Sequence, residues 1–296
     1  MKKVLYVVLV AAILGIGWYL FVKPYDYRVA FQVKTSPGSV HEEILEFAAL
    51  NRNLNNEASE LFKSVTQKFK RKDSSIQIIW KIKALNDSVT KVIVDLTDKE
   101  NSLANRFAVP FKNSAIEKIA RNVIVPFKYS FDQKLTGYKV TIEGEATTEE
   151  VFCACIALKS SQKGKAYSMM SNNFVVDNFL SENNMKIAGA PFLNIKTWHL
   201  EKKGLEFDFC FPTNKRDSLP KSNEVFFTTV PSQKAIKAIY YGNYKTSDRA
   251  WYALYNYAER NNISVKNQPM EVFLNNPNTG GSGRDWKAEV YMPLSE

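Results

Sequence analysis

The fold is decided by residues 261–269, Asn-Asn-Ile-Ser-Val-Lys-Asn-Gln-Pro, because a stretch of the same pattern occurs earlier in the chain. Residues 183–191 read Asn-Asn-Met-Lys-Ile-Ala-Gly-Ala-Pro. Each stretch leads to a β-rich segment closed by proline, at 207–212 and at 288–293. A unit written twice predicts a pseudo-symmetric domain, and a groove between two such units is a natural place for a ligand.

Outward from these stretches, each copy has the pattern of a strand, a helix and a two-stranded hairpin. In the first copy a strand at 151–158 precedes a helix at 168–183. In the second copy a strand at 235–241 precedes a helix at 247–260, whose apolar stripe includes Trp251. Apolar residues at helical spacing indicate a face packed on a sheet. The prediction is therefore a β-α-β-β unit that occurs twice.

Several short motifs occur in order in this half of the chain: Tyr-Tyr-Gly-Asn-Tyr at 240–244, Pro-Met-Glu-Val-Phe at 269–273 and Ala-Glu-Val-Tyr-Met-Pro-Leu at 288–294, with Gly-Ala-Pro-Phe of the first copy at 189–192. Through these motifs, residues 147–294 resemble the GyrI-like (gyrase-inhibitor-like) family, the AraC-type effector-binding domain. The resemblance implies two β-α-β-β modules packed side by side over residues 146–296, with a small-molecule groove between them.

Two strands of the second copy each carry a glutamate two residues before an aromatic side chain. Strand alternation places Glu271 and Phe273 on one face of their strand, and Glu289 and Tyr291 on one face of the next. If the strands pair as a hairpin, we expect both acids and both rings to line one surface. Such a surface suits an organic cation, and two nearby carboxylates also suit acid–base chemistry.

The GyrI-like resemblance implies that Glu271 lies in the ligand groove. The alternative is that Glu271 and Glu289 are exposed carboxylates on a solvated face.

Tyr240 and Tyr241 point to opposite faces of one strand, so one of them is expected to reach the groove. Trp251 and Tyr255 are expected in the core. In the first copy the matching positions hold Leu193 and Asp208. The predicted ligand-binding residues are Glu271, Phe273, Glu289, Tyr291, Tyr241 and Asp208.

Three cysteines are the candidates for disulfide or metal chemistry. Cys153 and Cys155 lie two apart on a predicted strand, so they share a face and are poorly placed to pair with each other. Cys210 lies on another predicted strand and could meet one of them, although buried free thiols are the favoured interpretation. Paired CxxC motifs are absent from the sequence, and it has 2 histidines. We therefore predict no metal site and no cofactor.

The N-terminal segment predicts a membrane anchor. Residues 4–22 are apolar throughout, and nineteen residues at about 1.5 Å each approach the ~30 Å hydrocarbon core of a bilayer. A cleaved signal peptide is the competing interpretation, but the stretch ends in Trp18-Tyr19-Leu20-Phe21-Val22 rather than in small residues. Residues 1–25 are therefore predicted to be a single-pass anchor of a bacterial protein. Lys2 and Lys3 hold the N-terminus in the cytoplasm, and the bulk lies on the periplasmic side.

Residues 27–145 predict a separate domain. Its patterns indicate a strand at 27–34, a helix opening at Ser36-Pro37, a helix around 57–68, a hairpin over 75–96 and a helix at 114–122. This order, with Thr-Ser-Pro after the first strand, resembles the START-like (SRPBCC, polyketide-cyclase-like) superfamily over residues 27–135, which implies a helix-grip fold around an apolar cavity. A generic α+β spacer domain is the alternative. The fold class of the whole chain is α+β.

Charge excludes one class of function. The net charge of +10 is spread over the anchor and both halves rather than concentrated on one face, so nucleic acid is not an expected partner.

No nucleophile–base pair and no helix-turn-helix pattern is evident. We predict a membrane-anchored protein that binds a small apolar or cationic molecule, without its own DNA-binding domain. One alternative is a hydrolase of strained electrophiles that uses Glu271 with Tyr291 or Tyr241, and another is a non-catalytic envelope scaffold. The sequence does not define the oligomeric state.

Overall fold

A computed structural model of the chain describes residues 2–71, 74–111, 114–201 and 204–295. The chain forms two compact units, Met1–Gln133 and Lys134–Glu296. Each contains one antiparallel sheet, so the fold is mixed α+β, as predicted.

The N-terminal helix is long and apolar enough to cross a membrane. It runs as α1 (Lys2–Gly17) and continues through a π-helical turn at Trp18–Val22. Together these elements cover 21 residues, none of which is buried by the rest of the chain. A helix that exposes apolar side chains all round suits an apolar solvent.

The rest of the first unit is a five-stranded sheet with three helices. Its elements in chain order are β1 (Tyr27–Val33), α2 (Pro37–Leu50), β2 (Leu54–Glu60), β3 (Ser64–Arg71), β4 (Ser74–Ala84), β5 (Thr90–Asp98), α3 (Ser102–Ala108), a 3-10 turn (Val109–Phe111) and α4 (Ala115–Leu135). The strand order is β1-β5-β4-β3-β2. Its core includes Trp80, whose ring lies 4.8 Å from that of Phe127 on α4 and whose indole N–H donates to Gln67.

Most elements predicted for this unit are confirmed, and one is wrong. The first strand, the helix opening at Pro37 and the β4–β5 hairpin lie where the patterns placed them. The helix predicted around 57–68 is instead the β2–β3 hairpin, turned at Phe62 with φ of 59°. Val65 and Gln67 are buried at alternate positions, which is the spacing of a strand rather than of a helix. The START-like assignment and the boundary at residue 145 stay predictions.

The second unit is an eight-stranded sheet with two helices. Its elements are β6 (Tyr138–Thr147), β7 (Val151–Ser161), α5 (Lys165–Glu182), β8 (Phe192–Trp198), β9 (Gly204–Pro212), β10 (Val225–Val230), β11 (Lys234–Gly242), α6 (Arg249–Arg260), β12 (Met270–Phe273) and β13 (Lys287–Pro293). The strand order is β10-β7-β9-β8-β12-β13-β11-β6. The sheet is continuous because β8 of the first copy pairs with β12 of the second.

The predicted duplication is confirmed by the backbone. Each copy runs strand, helix, strand, strand, as β7-α5-β8-β9 and as β11-α6-β12-β13. Both helices end in the repeated Asn-Asn pair, and the second asparagine has a left-handed backbone in each copy, with φ of 53° at Asn184 and 55° at Asn262. Asparagine adopts this region more readily than most residues, so the repeated motif is a helix stop.

Candidate functional site

The register of the central strands separates the two Glu-x-aromatic pairs. Glu271 pairs with Val290, whereas Glu289 pairs with Val272. Directly paired residues share a face of a sheet and neighbours in a strand alternate, so Glu271 and Glu289 lie on opposite faces. The expectation that both acids and both rings line one surface is therefore wrong. A shift of one residue in register was enough to separate them.

On the face that carries Phe273, Glu271 is held in a fully buried ion pair. The ammonium of Lys165, the first residue of α5, lies 2.7 Å from each carboxylate oxygen. The hydroxyl of Ser247, just before α6, lies 2.9 Å from Oε2 of Glu271 and accepts a hydrogen bond from Lys165 at 2.6 Å. The Glu271 and Lys165 side chains are 0% and 1% exposed. The carboxylate therefore belongs to the interior rather than to a solvated face.

The electrostatics of this pair follow from its burial. Removal from water raises the pKa of Glu271, and the neighbouring ammonium and the Ser247 hydroxyl oppose that rise. The Lys165 ammonium also lies 4.6 Å from the centre of a Trp251 ring, which adds a cation–π contact. Trp251 is fully buried, as predicted for a core residue. Lys165 thus occupies the place beside Glu271 that an organic cation would need.

A tight turn after β11 brings the second copy's polar residues to this site. Gly242 has φ of 145°, and a Cβ atom there would lie 2.6 Å from the Tyr240 hydroxyl, so only glycine fits. The chain then makes a 3-10 turn at Tyr244–Thr246, which places the Ser247 hydroxyl within hydrogen-bond distance of Glu271. The same turn buries Tyr244, whose ring centre lies 4.7 Å from that of Phe273.

A cavity of about 490 Å³ adjoins this turn. Side chains from both copies line it: Met169, Met170, Asn173 and Asp177 of α5, Phe209 and Phe211 of β9, Phe273, Tyr244 and the segment 274–278. Its size is that of a pocket for a small organic molecule, and aromatic and thioether side chains suit an apolar one. Glu271 is not among the described lining residues, of which Asp177 is the only one with a charged side chain.

Tyr244 supplies the cavity with a fixed polar wall. Its hydroxyl donates to the carbonyl oxygen of Lys287 at 2.8 Å and accepts from the backbone N–H of Asn275 at 3.1 Å. Burial raises the pKa of Tyr244 to about 12, so the hydroxyl stays protonated at neutral pH. Tyr244 therefore links the cavity wall to β13 rather than acting as a base.

The opposite face of the sheet holds the other predicted residues of the second copy. The Tyr291 hydroxyl donates to Glu289 at 2.7 Å, and Lys237 lies 3.1 Å from the same carboxylate. Burial acts to raise the pKa of Glu289, but these hydrogen bonds outweigh it and lower the pKa. Burial, helped by Glu289, raises the pKa of Tyr291 to about 12. Tyr241 pairs with Lys287 on this same face and is 38% exposed.

Asp208 also lies on this opposite face. It pairs with Asn194, which in turn pairs with Met270, the partner of Tyr291. Its carboxylate lies 2.9 Å from the ammonium of Lys196 and is largely buried. Of the six predicted ligand-binding residues, only Glu271 and Phe273 lie on the face of the sheet that meets Lys165 of α5, and only Phe273 lines the cavity.

The cysteines form a disulfide, which corrects the expectation of free thiols. Cys155 on β7 pairs directly with Cys210 on β9, and their sulfur atoms are bonded at 2.09 Å. The Cys153 thiol remains free, lies 3.4 Å from the Cys155 sulfur, and has its pKa raised to about 12 by burial. Cross-strand partners on one face are well placed for a bridge, whereas the spacing of two on one strand is not.

Sequence reasoning missed the residues of the first copy that complete the site. The helix α5 begins at Lys165, three residues before the predicted start at residue 168. It supplies Lys165, Met169, Met170 and Asp177. With the helix predicted to begin at residue 168, Lys165 lies outside it, so the unfavourable position of a lysine at a helix N-terminus gives no signal. The aromatic alternation at Phe207, Phe209 and Phe211 was visible, but its direction across the sheet was not.

Comparison with family models finds a match within the second unit. Residues 176–295 match the family model of the GyrI-like small molecule binding domain. This part of the chain is therefore a GyrI-like domain, in agreement with the motifs and the duplicated fold. No curated protein matches the sequence.

Comparison with solved structures finds partial similarity, with a TM-score below 0.5 for each of the three structures that follow. The C-terminal domain of EcmrR is 15% identical, covers 54% of this chain and 98% of its own, and has a TM-score of 0.45. SAV2435 bound to tetraphenylphosphonium is 10% identical, covers 53% of this chain and 93% of its own, and has a TM-score of 0.34. A hydrolase encoded by lin2189 from Listeria innocua is 10% identical, covers 56% of this chain and 97% of its own, and has a TM-score of 0.36.

Proposed function

We propose that the protein is a membrane-anchored receptor for a small, largely apolar organic molecule, bound in the cavity of its GyrI-like domain. The cavity of about 490 Å³ carries this proposal, since aromatic and methionine side chains from both copies form its walls. A scaffold that fills its groove with its own side chains would leave no such space. Met170, on the cavity wall, is 57% exposed, which gives a ligand a way in.

The ligand's charge is set by Asp177 rather than by Glu271. Both oxygens of Glu271 are already engaged by Lys165, and one also by Ser247, so a cationic ligand gains little from this acid. Asp177 is half-buried on the cavity wall. A ligand with a single positive group is therefore accepted with that group against Asp177, and a neutral apolar ligand binds without it.

Binding of a neutral fluorescent probe tests the site. Full-length protein in nanodiscs is titrated with N-phenyl-1-naphthylamine, and the signal of empty nanodiscs is subtracted. Ala190 also lines the cavity, so Ala190→Trp, which places an indole in the cavity wall, should abolish the protein-dependent signal. Tyr241→Ala, a truncation on the opposite face of the sheet, should leave it unchanged. Equal binding by wild type and Ala190→Trp would reject the cavity as the site.

A hydrolytic function lacks the geometry that it requires. The two tyrosines considered as partners of Glu271 are Tyr291 and Tyr241, and both lie on the other face of the sheet. We therefore favour binding over catalysis. With an activated cyclopropane electrophile as substrate, we expect the wild type to turn over no faster than Glu271→Gln. Turnover that depends on Glu271 would instead establish the enzyme.

For the location, we propose that residues 2–22 span the membrane once, with the N-terminus in the cytoplasm. Lys2 and Lys3 support this orientation. The Cys155–Cys210 disulfide supports an oxidising compartment for the second unit, as in the bacterial periplasm. Alkaline phosphatase fused to the C-terminus should be active in bacterial cells, because it too needs disulfides. An inactive phosphatase with an intact fusion would contradict this orientation.

A further inference from the structure

A stripe of exposed apolar side chains runs along α3 and the turn that follows it. Leu103, Phe107 and Phe111 recur every four residues and therefore lie along one side of this helical segment. They are 53%, 65% and 79% exposed, whereas Asn105 and Arg106 on the other side are buried. Large apolar residues aligned in this way mark an interaction surface rather than scattered surface positions.

The buried side of α3 is fastened to the end of the N-terminal helix. Arg106 donates from Nη1 to the backbone carbonyl of Leu20 at 2.8 Å, and its own carbonyl accepts from the Tyr19 hydroxyl at 3.1 Å. The Nε of Arg106 donates to Asp26 at 2.8 Å, and Ser102 donates to the same carboxylate oxygen at 2.5 Å. α3 is therefore fixed at the level of residues 19 and 20.

The length of the N-terminal helix sets that level relative to a bilayer. Its 21 residues extend roughly 31 Å at about 1.5 Å per residue, which matches the ~30 Å hydrocarbon core. Tyr19 and Leu20 then lie where the hydrocarbon ends, beside Trp18, in the layer that aromatic side chains prefer. Because α3 is bonded to these residues, its apolar stripe lies at the same depth.

We propose that Leu103, Phe107 and Phe111 insert into the interfacial layer of the same bilayer that residues 2–22 cross. The occupant of the stripe is lipid, since the stripe continues the apolar surface of the helix to which it is bonded. A short helix with one apolar side lies in the plane of this layer and buries that side by about 5–10 Å. The proposal rests on the membrane-spanning role of residues 2–22, and it adds a second, non-spanning contact.

Depth-dependent fluorescence tests the proposal on the full chain. A single cysteine is introduced at Phe107, Leu50 or Leu9 in a Cys153→Ala background, labelled with nitrobenzoxadiazole, and reconstituted into phosphatidylcholine nanodiscs with or without doxyl lipid. Leu50 is the control, because it is 84% exposed and ends α2 beside β2, the far edge of the sheet from β1. Leu9 reports on the spanning helix.

We expect doxyl lipid to quench the labels at positions 107 and 9 to within about twofold of each other. Aqueous iodide should quench the label at 107 about threefold less than the label at 50. If the label at 9 is quenched by lipid but the label at 107 behaves like the one at 50, the stripe proposal fails and the anchor stands. If neither 9 nor 107 is quenched by lipid, the anchor fails as well. A label at 107 shielded from both quenchers would show that protein covers the stripe, which also overturns the proposal.

A second set of variants separates lipid contact from a loss of fold. With the label at position 103, replacing Phe107 and Phe111 by serine should lower quenching by doxyl lipid about threefold. Replacing both by leucine should preserve it, since leucine keeps the apolar side. Equal quenching in the serine and leucine variants would contradict insertion.

Discussion

The two copies of the β-α-β-β unit share a backbone but differ in chemistry where they meet. At the centre of the sheet Glu271 of the second copy pairs directly with Leu193 of the first. The counter-ion of Glu271 is Lys165, the first residue of the first copy's helix, so one copy supplies the anion and the other the cation. The pair therefore holds the copies together across the pseudo-symmetric centre, and leucine at position 193 means that it has no symmetry mate.

The opposite face shows the same divergence. Cys210, two residues before the closing proline of the first copy, forms the disulfide with Cys155. The matching residue of the second copy is Tyr291, which pairs with Lys237 and has the Lys237 ammonium 5.4 Å from its ring centre. One position thus carries a covalent link in one copy and a half-buried polar contact in the other. A duplicated fold fixes positions, and each copy then uses them for different chemistry.

Breaking the central ion pair should have the largest effect on stability. Lys165→Met leaves a buried carboxylate without its cation, which costs about 3–5 kcal/mol of unfolding free energy. The double variant Lys165→Met/Glu271→Met should recover most of that loss, because it removes the unpaired charge. Chemical denaturation of the detergent-solubilised chain measures both. A double variant no more stable than the single one would contradict the pairing.

The same variant should acquire a characteristic pH dependence. Burial already raises the pKa of Glu271 above its ordinary 4.5, and loss of the ammonium raises it further. A raised pKa in the folded state means that the folded protein binds the proton more tightly than the unfolded chain. The variant is therefore most stable below pH 4.5, and it loses stability over the pH window that runs upward from 4.5 through the raised folded-state pKa. A melting temperature of Lys165→Met that is flat over this window, relative to Lys165→Met/Glu271→Met, would argue against a buried carboxylate.

Removing the covalent link of the first copy should have the next largest effect. The disulfide joins residues with a sequence separation of 55, and its loss in Cys155→Ala/Cys210→Ala should cost about 2–4 kcal/mol. The control is Cys153→Ala, which removes a buried thiol without removing a crosslink and should cost about 1 kcal/mol. Equal losses in the two variants, measured by the same denaturation, would show that the bridge does not form in the native protein.

The smallest effect is expected at the matching position of the second copy. Lys237 is only partly buried, and its contacts with Glu289 and Tyr291 are partly screened by water. Lys237→Met should therefore change the unfolding free energy by less than about 1 kcal/mol. A loss as large as that of Lys165→Met would remove the distinction between the two faces of the sheet.

Much of the fold was predictable from the sequence because the relevant signals are local. The Asn-Asn helix stops, the closing prolines and the apolar stripe around Trp251 each depend on neighbouring residues, and together they predict the duplicated unit. The β2–β3 hairpin was missed because Val65 and Gln67 alternate over too short a stretch to outweigh an apparent helical pattern.

The site was less predictable because it depends on pairing between distant strands. Alternation correctly placed Glu271 with Phe273 and Glu289 with Tyr291 on their own strands. It does not say which residue of β12 faces which residue of β13, and a shift of one residue inverts the result. The partner of Glu271 was also out of reach, since Lys165 is separated from it by 106 positions.

We propose that the cavity binds the ligand and that Asp177, not Glu271, recognises the ligand's charge. The most direct test of Asp177 compares tetraphenylphosphonium with tetraphenylborate, which have nearly the same shape and opposite charge, on protein in nanodiscs with empty nanodiscs subtracted. Wild type should prefer the cation, Asp177→Asn should reduce that preference about tenfold, and Lys165→Met/Glu271→Met should keep it within about twofold. A preference that survives Asp177→Asn and is lost in Lys165→Met/Glu271→Met would contradict the role of Asp177 and return Glu271 to the role of ligand-binding acid.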